Sequence, residues 1–214
     1  MICFFDIILL PYLPFTNFWL REEIMPSGYP VNADLLKNID TPSQIVFFYD
    51  SLDEWSQFML YMLQSISNRE ERFLCIVSPS EEKHLKTFID YKRQDVLWDV
   101  SLEQIVIIPI NRDLELTAPD PAKIAGLFIE EVRNSIGKDY KKIFMLISLD
   151  AMQLTTDSES FIVALSRHLK DAMDAFPCVS IYALNSKEYS TDLLQKLFLQ
   201  NGQFIKNLKL YQNP

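Results

Sequence analysis

Short apolar runs alternate with longer segments in which apolar residues recur every three or four positions, from about residue 43 onward. Five apolar runs bounded by turn-forming residues predict strands at 44–49, 72–77, 104–110, 143–149 and 178–184. The periodic segments between them predict helices, and residues 204–211 predict an additional edge strand. Strands that alternate with helices in this way are typical of βα units built on a mainly parallel sheet.

The starts of the predicted helices carry capping signals. Ser51 with Glu54 and Ser78 with Glu81 fit the capping box, in which a hydroxyl and a carboxylate satisfy free N–H groups of the first turn. Runs without polar interruption, such as 143–149, are typical of strands buried on both faces. The sequence therefore predicts a three-layer, doubly wound α/β domain with a mainly parallel sheet of five to six strands.

The first forty residues do not follow this pattern. Residues 1–20 are mostly apolar, which suggests a signal peptide or a membrane helix, but Asp6, Pro11 and Pro14 interrupt the run and no basic residue precedes it. A packed or dimer-swapped N-terminal arm is a second interpretation, and a natural start at Met25 is a third. We predict an N-terminal extension and linker over residues 1–40 and a single α/β domain over residues 41–214.

Charge and cysteine content narrow the class of protein. The chain has 214 residues with 29 acidic and 20 basic side chains, a net charge of −9, and no basic run. Nucleic acids and anionic membranes are bound through concentrated Lys and Arg, so neither is expected as a direct partner. The three cysteines are widely spaced and form no C-x-x-C pair, which predicts a reducing, cytoplasmic setting.

Glycine is scarce, with four residues where average usage of ~7% would give about fifteen. A phosphate loop needs glycines and a lysine after the first strand, and this turn reads YDSLDEW over residues 49–55. Asp50 and Asp53 would also repel phosphate there. The sequence therefore predicts a fold without a phosphate loop, and it argues against ATP hydrolysis.

Ligands of open parallel sheets lie outside the carboxyl ends of the strands. Polar and aromatic residues at or just past the predicted strand ends are the candidate ligand-binding residues: Tyr49, Asp50, Ser51, Trp55, Ser78, Asn111, Asp150 and Asn185. Asp50 and Asp150 are the strongest of these, because carboxylates on neighbouring strand ends could hold a metal, accept a ligand proton or stabilise a cationic ligand. The alternative is that these residues only cap helices and face solvent at strand ends.

Catalytic signatures are missing. The sequence has no G-x-S-x-G, H-E-x-x-H or G-x-G-x-x-G motif. His84 and His168 fall on predicted helices as surface or core-edge residues, and Cys75 and Cys178 fall inside apolar strands, where a thiol is a small buried hydrophobe. We therefore expect no enzyme activity, no metal and no cofactor.

Two segments carry a family resemblance. Residues 44–63, QIVFFYDSLDEWSQFMLYML, and residues 178–205, CVSIYALNSKEYSTDLLQKLFLQNGQFI, each combine an apolar strand, a Tyr, a polar turn and a helix. Over about residues 41–204 the chain resembles the MEDS family, a sensory domain named from methanogens, methylotrophs and a dichloromethane-metabolism regulator. The resemblance implies a RecA/KaiC-like fold that has lost its phosphate loop. This chain has Asn201 and Gly202 where the family often has His-Pro.

The resemblance also implies a function. Family members sense small molecules and pass the signal to a helix-turn-helix or a histidine kinase, as in transcription regulation. No such segment is visible here, so we expect a non-catalytic sensing and signalling module that binds a small organic ligand and acts through a signalling protein partner or a homo-oligomer. A KaiC/RecA-like nucleotide-binding protein or ATPase relative is one alternative, and a structural protein-interaction domain is another.

Overall fold

The computed structural model describes residues 28–66, 69–92, 100–110, 120–152 and 158–212. Its strands are β1 (Tyr29–Pro30), β2 (Ser43–Tyr49), β3 (Glu71–Val77), β4 (Ile105–Pro109), β5 (Lys142–Ser148), β6 (Cys178–Asn185), β7 (Gln203–Lys206) and β8 (Lys209–Gln212). Its α-helices are α1 (Ala33–Lys37), α2 (Leu52–Ser65), α3 (Pro79–Lys92), α4 (Pro121–Ile136), α5 (Ser158–Met173) and α6 (Thr191–Asn201). Short 3₁₀ turns cover Leu102–Gln104 and Leu149–Met152.

The strands form one sheet in the order β1-β8-β7-β2-β6-β5-β3-β4. All pairs from β7 through β2, β6, β5 and β3 to β4 are parallel, and β8 pairs antiparallel with both β7 and β1. The doubly wound, mainly parallel sheet predicted from the sequence is therefore confirmed.

The sheet has more strands than expected in the described part of the chain. The predicted edge strand over 204–211 is a hairpin of β7 and β8, and β1 lies outside it. Asn207 and Leu208, the two residues between the strands, both have a φ of 51°. A two-residue hairpin turn needs both residues in the left-handed conformation, and Asn-Gly is the usual sequence for it. Because Leu208 stands in place of the glycine, the sequence pattern did not predict this turn.

Helices cover both faces of the sheet, as expected for a three-layer fold. Alternate side chains of β2 point to opposite sides, with Val46 and Phe48 in one buried cluster and Ile45 and Phe47 in the other. The first cluster includes apolar residues of α4, α5 and α6, and the second includes those of α1, α2 and α3. Burial on both faces explains why the strands read as unbroken apolar runs.

Two predicted capping boxes are present in different forms. At α3 the box is reciprocal, because the Glu81 N–H donates to Ser78 Oγ at 3.2 Å and the Ser78 N–H donates to Glu81 Oε2 at 2.8 Å. At α2 the Glu54 N–H donates to Ser51 Oγ at 3.2 Å, but the Glu54 carboxylate accepts from the Asp50 N–H at 2.9 Å, one residue before the cap. Both carboxylates therefore turn back toward the strand end that precedes their helix.

The described residues before position 40 pack against the domain. Val31 is 4% exposed and Leu36 of α1 is fully buried, while residues 29–30, which the sequence placed in a linker, form β1. The predicted boundary at residue 40 stays a prediction. None of the helices within the described ranges is both long and apolar enough to span a membrane. The interpretations of residues 1–27 lie outside the described residues.

Candidate functional site

The carboxyl ends of β2, β5 and β6 meet around Asp150. The Tyr49 hydroxyl, at the end of β2, donates to Asp150 Oδ2, and the Asn185 N–H, at the end of β6, donates to the same oxygen at 2.9 Å. β6 lies between β2 and β5, so Asp50 and Asp150 are not on neighbouring strands as the sequence suggested. The long Tyr49 side chain, rather than strand adjacency, joins the two ends.

The Asp150 carboxyl is perturbed by its surroundings. Burial raises its pKa from 3.8 to about 6, against the opposing effect of the hydrogen bonds from Tyr49 and the Asn185 N–H and of the nearby Tyr189 hydroxyl. The charge of Glu188 raises it as well. Burial and the Asp150 carboxylate in turn raise the pKa of both Tyr49 and Tyr189, so both phenols stay protonated at any physiological pH.

Two buried atoms at this site have no hydrogen bond to any of the described residues. They are Asp150 Oδ1 and the hydroxyl of Tyr189. The two groups interact electrostatically, since each shifts the pKa of the other, but no hydrogen bond joins them. Within the described residues, the carboxylate therefore has one oxygen with two donors and a second oxygen with none.

A second acid borders the same strand ends. Ser148, the last residue of β5, donates through its hydroxyl to Glu81 Oε1 at 2.7 Å, and the charge of Glu81 contributes to the raised pKa of Tyr49. The sequence identified Glu81 only as part of a helix cap. Its second role depends on β3 and β5 being neighbours, which no local pattern shows.

Asp50 belongs to a separate group of charged residues. Its Oδ1 accepts from Ser186 Oγ and from Lys206 Nζ, and its backbone oxygen accepts from Lys187 Nζ at 2.9 Å. Burial alone would raise the pKa of Asp50, but the hydrogen bonds from Lys206 and Ser186 and the charges of both lysines lower it. The two strongest candidates of the sequence therefore have opposite environments, with Asp50 paired to cations and Asp150 surrounded by phenols and carboxylates.

The remaining candidate residues have structural roles or lie elsewhere. Ser51 and Ser78 cap α2 and α3, as the alternative interpretation expected. Trp55 is 1% exposed in the core, its Nε1 has no hydrogen-bond partner among the described residues, and its ring lies 6.1 Å from that of His84. Asn111 lies outside the described residues. Their participation in ligand binding stays a prediction.

The turn after β2 has no space for a phosphate cradle. β2 ends at Tyr49 and α2 begins at Leu52, so two residues connect them. Ser51 Oγ accepts one N–H of the first turn, and the Glu54 carboxylate accepts the N–H of Asp50. A phosphate needs free N–H groups and a nearby positive charge at such a helix start, and acidic side chains occupy it here.

The described residues offer few candidates for a metal site or a reactive thiol. That part of the chain contains no group of three His, Cys, Asp or Glu side chains placed to hold a metal ion. Cys75 and Cys178 are buried, and burial raises the pKa of both thiols, that of Cys178 to about 12. A buried, protonated thiol is a poor nucleophile and a poor metal ligand.

Neither a family model nor a curated protein matches this chain. Among solved structures, the chain is similar to the protein PH0250 from Pyrococcus horikoshii OT3, with a TM-score of 0.54 and 6% identity over 84% of this chain and 90% of that one. A KaiC-like protein, PH0186, from the same archaeon gives a TM-score of 0.48 and 11% identity over 86% and 85%.

The likeness to PH0250 supports the doubly wound α/β fold, and the relation of this fold to RecA/KaiC-like proteins stays a prediction. The fold has three layers, a mainly parallel sheet and, at the turn after β2, no phosphate loop. Likeness at such low identity concerns the fold alone. The resemblance to the MEDS family and every functional role that it implies stay predictions.

Proposed function

We propose that the protein is a non-catalytic module that binds a small organic ligand at the carboxyl ends of β2, β5 and β6 and transmits binding to a protein partner or a homo-oligomer. The observation that carries this proposal is the buried Asp150 carboxylate, whose Oδ1, like the neighbouring Tyr189 hydroxyl, has no hydrogen bond to any residue that the structure describes. A buried polar atom left unsatisfied destabilises a protein by about 1–3 kcal/mol, so a ligand that supplies the missing bond gains binding free energy there.

The charges around Asp150 indicate what kind of ligand fits. Carboxylates of Glu81, Asp150 and Glu188 raise the pKa of Tyr49, so the potential at this strand end is negative. A neutral or cationic ligand with a hydroxyl or an amine can donate to Asp150 Oδ1, whereas a phosphate or carboxylate group would be repelled. This preference agrees with the missing phosphate loop.

The protein groups in contact with Asp150 support binding rather than catalysis. They are two phenols, from Tyr49 and Tyr189, and the backbone N–H of Asn185. The raised pKa of each phenol prevents it from acting as a base at neutral pH. The arrangement is suited to holding a ligand group in one orientation.

The test begins with native mass spectrometry of freshly purified protein, followed by a thermal-shift screen. The screen contains small alcohols, amines and carboxylates of matched size, with ATP and Mg²⁺ as a separate arm. A ligand that binds only the native state raises the midpoint by an amount that depends on its concentration. We expect alcohols or amines to stabilise the protein and carboxylates and ATP to have no effect.

Variants then locate the site. Tyr189→Phe removes one hydroxyl and should weaken a hit about fivefold or more, while Tyr29→Phe, on a side chain that is 65% exposed, is the matched control and should not. Stabilisation by none of the compounds, together with no retained ligand, would favour the structural interaction domain. Micromolar ATP binding that is lost in Asp150→Ala would favour the nucleotide-binding alternative.

A further inference from the structure

A second polar cluster lies at the carboxyl ends of β2, β6 and β7, and we call its four residues, Asp50, Ser186, Lys187 and Lys206, the Asp50 cluster. Ser186 Oγ and Lys206 Nζ both donate to Asp50 Oδ1. Lys206 Nζ also lies 2.8 Å from Ser186 Oγ, and Lys187 Nζ donates to the Asp50 backbone oxygen at 2.9 Å. One ammonium group and one hydroxyl therefore bind the Asp50 carboxylate, and a second ammonium group binds the backbone oxygen of the same residue.

The central donor of this cluster, Lys206, is more deeply buried than the acceptor, whereas Lys187 is exposed. The Lys206 side chain is 14% exposed, whereas the Asp50 side chain is 38% exposed. A partly buried ammonium needs a negative partner, because its charge has lost much of its hydration. Among the ion pairs of the described residues, the partner of Lys206 is Asp50. The Asp50 carboxylate thus reaches the more deeply buried Lys206 ammonium from the solvent side, as the anionic group of a ligand would.

We propose that Lys206, Lys187 and Ser186 form a binding site for a phosphate-type oxyanion, and that the Asp50 carboxylate occupies this site in the wild-type protein. Charge-assisted bonds from ammonium and hydroxyl groups are the donors that carboxylate and phosphate oxygens share. Asp50 is tethered at the site, so its effective concentration is of millimolar order or higher and a free anion competes poorly with it. This contact is distinct from the ligand site at Asp150 and does not depend on it.

The test removes the internal carboxylate and supplies an external anion. Asp50→Ala leaves both lysines and Ser186 in place and opens the space that the side chain fills. Thermal unfolding of wild type and Asp50→Ala is followed in 0–20 mM sodium phosphate at pH 7.5, with ionic strength held constant by NaCl. We expect the midpoint of Asp50→Ala to rise by roughly 2–4 °C with a saturable dependence on phosphate, and that of wild type to remain unchanged.

The double variant Asp50→Ala with Lys206→Gln is the matched control, since it keeps the cavity and removes the central donor. We expect it to lose the saturable response, and Lys187→Gln in the same background to weaken it several-fold. An equal response in the Lys206→Gln double variant would show that phosphate binds elsewhere and would overturn the proposal. So would the lack of any saturable response in Asp50→Ala. If Asp50→Ala does not fold, Asp50→Ser is titrated with phosphate in a calorimeter instead. Saturable binding that is lost with Lys206→Gln supports the proposal, and no binding, or equal binding with Lys206→Gln, overturns it.

Discussion

Asp150→Asn is expected to stabilise the protein at neutral pH, although it alters the central residue of the candidate site. Burial raises the pKa of Asp150 from 3.8 to about 6 in the folded protein. Because the folded state holds the proton more tightly, ionisation of this group lowers the free energy of unfolding as the pH rises. The loss begins near pH 4, is nearly complete above pH 6, and amounts to about 3 kcal/mol at pH 7.5.

Asparagine avoids this loss and can keep the main contacts. Its side-chain oxygen can accept from Tyr49 and from the Asn185 N–H, as Asp150 Oδ2 does now. Its amide can donate to the Tyr189 hydroxyl, which has no partner in the described part of the chain. We expect a gain of about 2–3 kcal/mol at pH 7.5 that shrinks as the pH falls through the interval between 6 and 4. A gain of this size raises the melting temperature of a domain of this length by about 5–10 °C.

Urea denaturation at a series of pH values measures the effect, with Asp50→Asn as the matched control. The lysines and Ser186 lower the pKa of Asp50, so its ionised form stabilises the folded state and Asp50→Asn should be destabilising at pH 7.5. That difference should diminish as the pH falls through the range in which the carboxyl is protonated. If Asp150→Asn is less stable than wild type at pH 7.5, the desolvation argument for Asp150 is wrong.

Three other predictions test the fold. Gly126→Ala, at an exposed helix position where an added Cβ meets nothing within 4 Å, should raise the free energy of unfolding by about 1 kcal/mol in chemical denaturation. Gly202→Ala, at a φ of +75°, should lower it by about 1–2 kcal/mol in the same measurement. Leu36→Ala should cost about 2–5 kcal/mol by the same measurement, because α1 is part of the core. Cys75 and Cys178 should react with a thiol reagent only after unfolding, and fast labelling of either in native protein would contradict their burial.

Much of the fold follows from local patterns. The apolar runs predicted the strands, because a strand that is buried on both faces is apolar at nearly every position. The capping residues predicted the helix starts, because a capping box lies within four consecutive residues. The strand-end rule also selected Tyr49, Asp150 and Asn185, which the structure brings together.

The hydrogen-bond partners of those residues could not be predicted from sequence patterns. Tyr49 and Asp150 are 101 positions apart, and Asp50 and Lys206 are 156 apart, so their contacts depend on the strand order. Strand order results from the packing of the whole sheet and leaves no local sequence signal. For this reason the assumption that Asp50 and Asp150 lie on neighbouring strands was wrong. Tyr189 and Ser186 lie in a polar turn of ordinary composition, and nothing in their immediate sequence distinguishes them from solvent-exposed turn residues.

Both outer strands of the sheet in the described chain are poor templates for another strand. β1 has two residues and includes Pro30, and β4 at the opposite edge has five residues and ends in Pro109. Proline cannot donate to a neighbouring strand, and short edges offer few free backbone groups. Sheet extension between copies is therefore disfavoured at both edges of the described sheet, so the homo-oligomer proposed above would associate through the helical layers, next to the helices whose starts lie at the candidate sites.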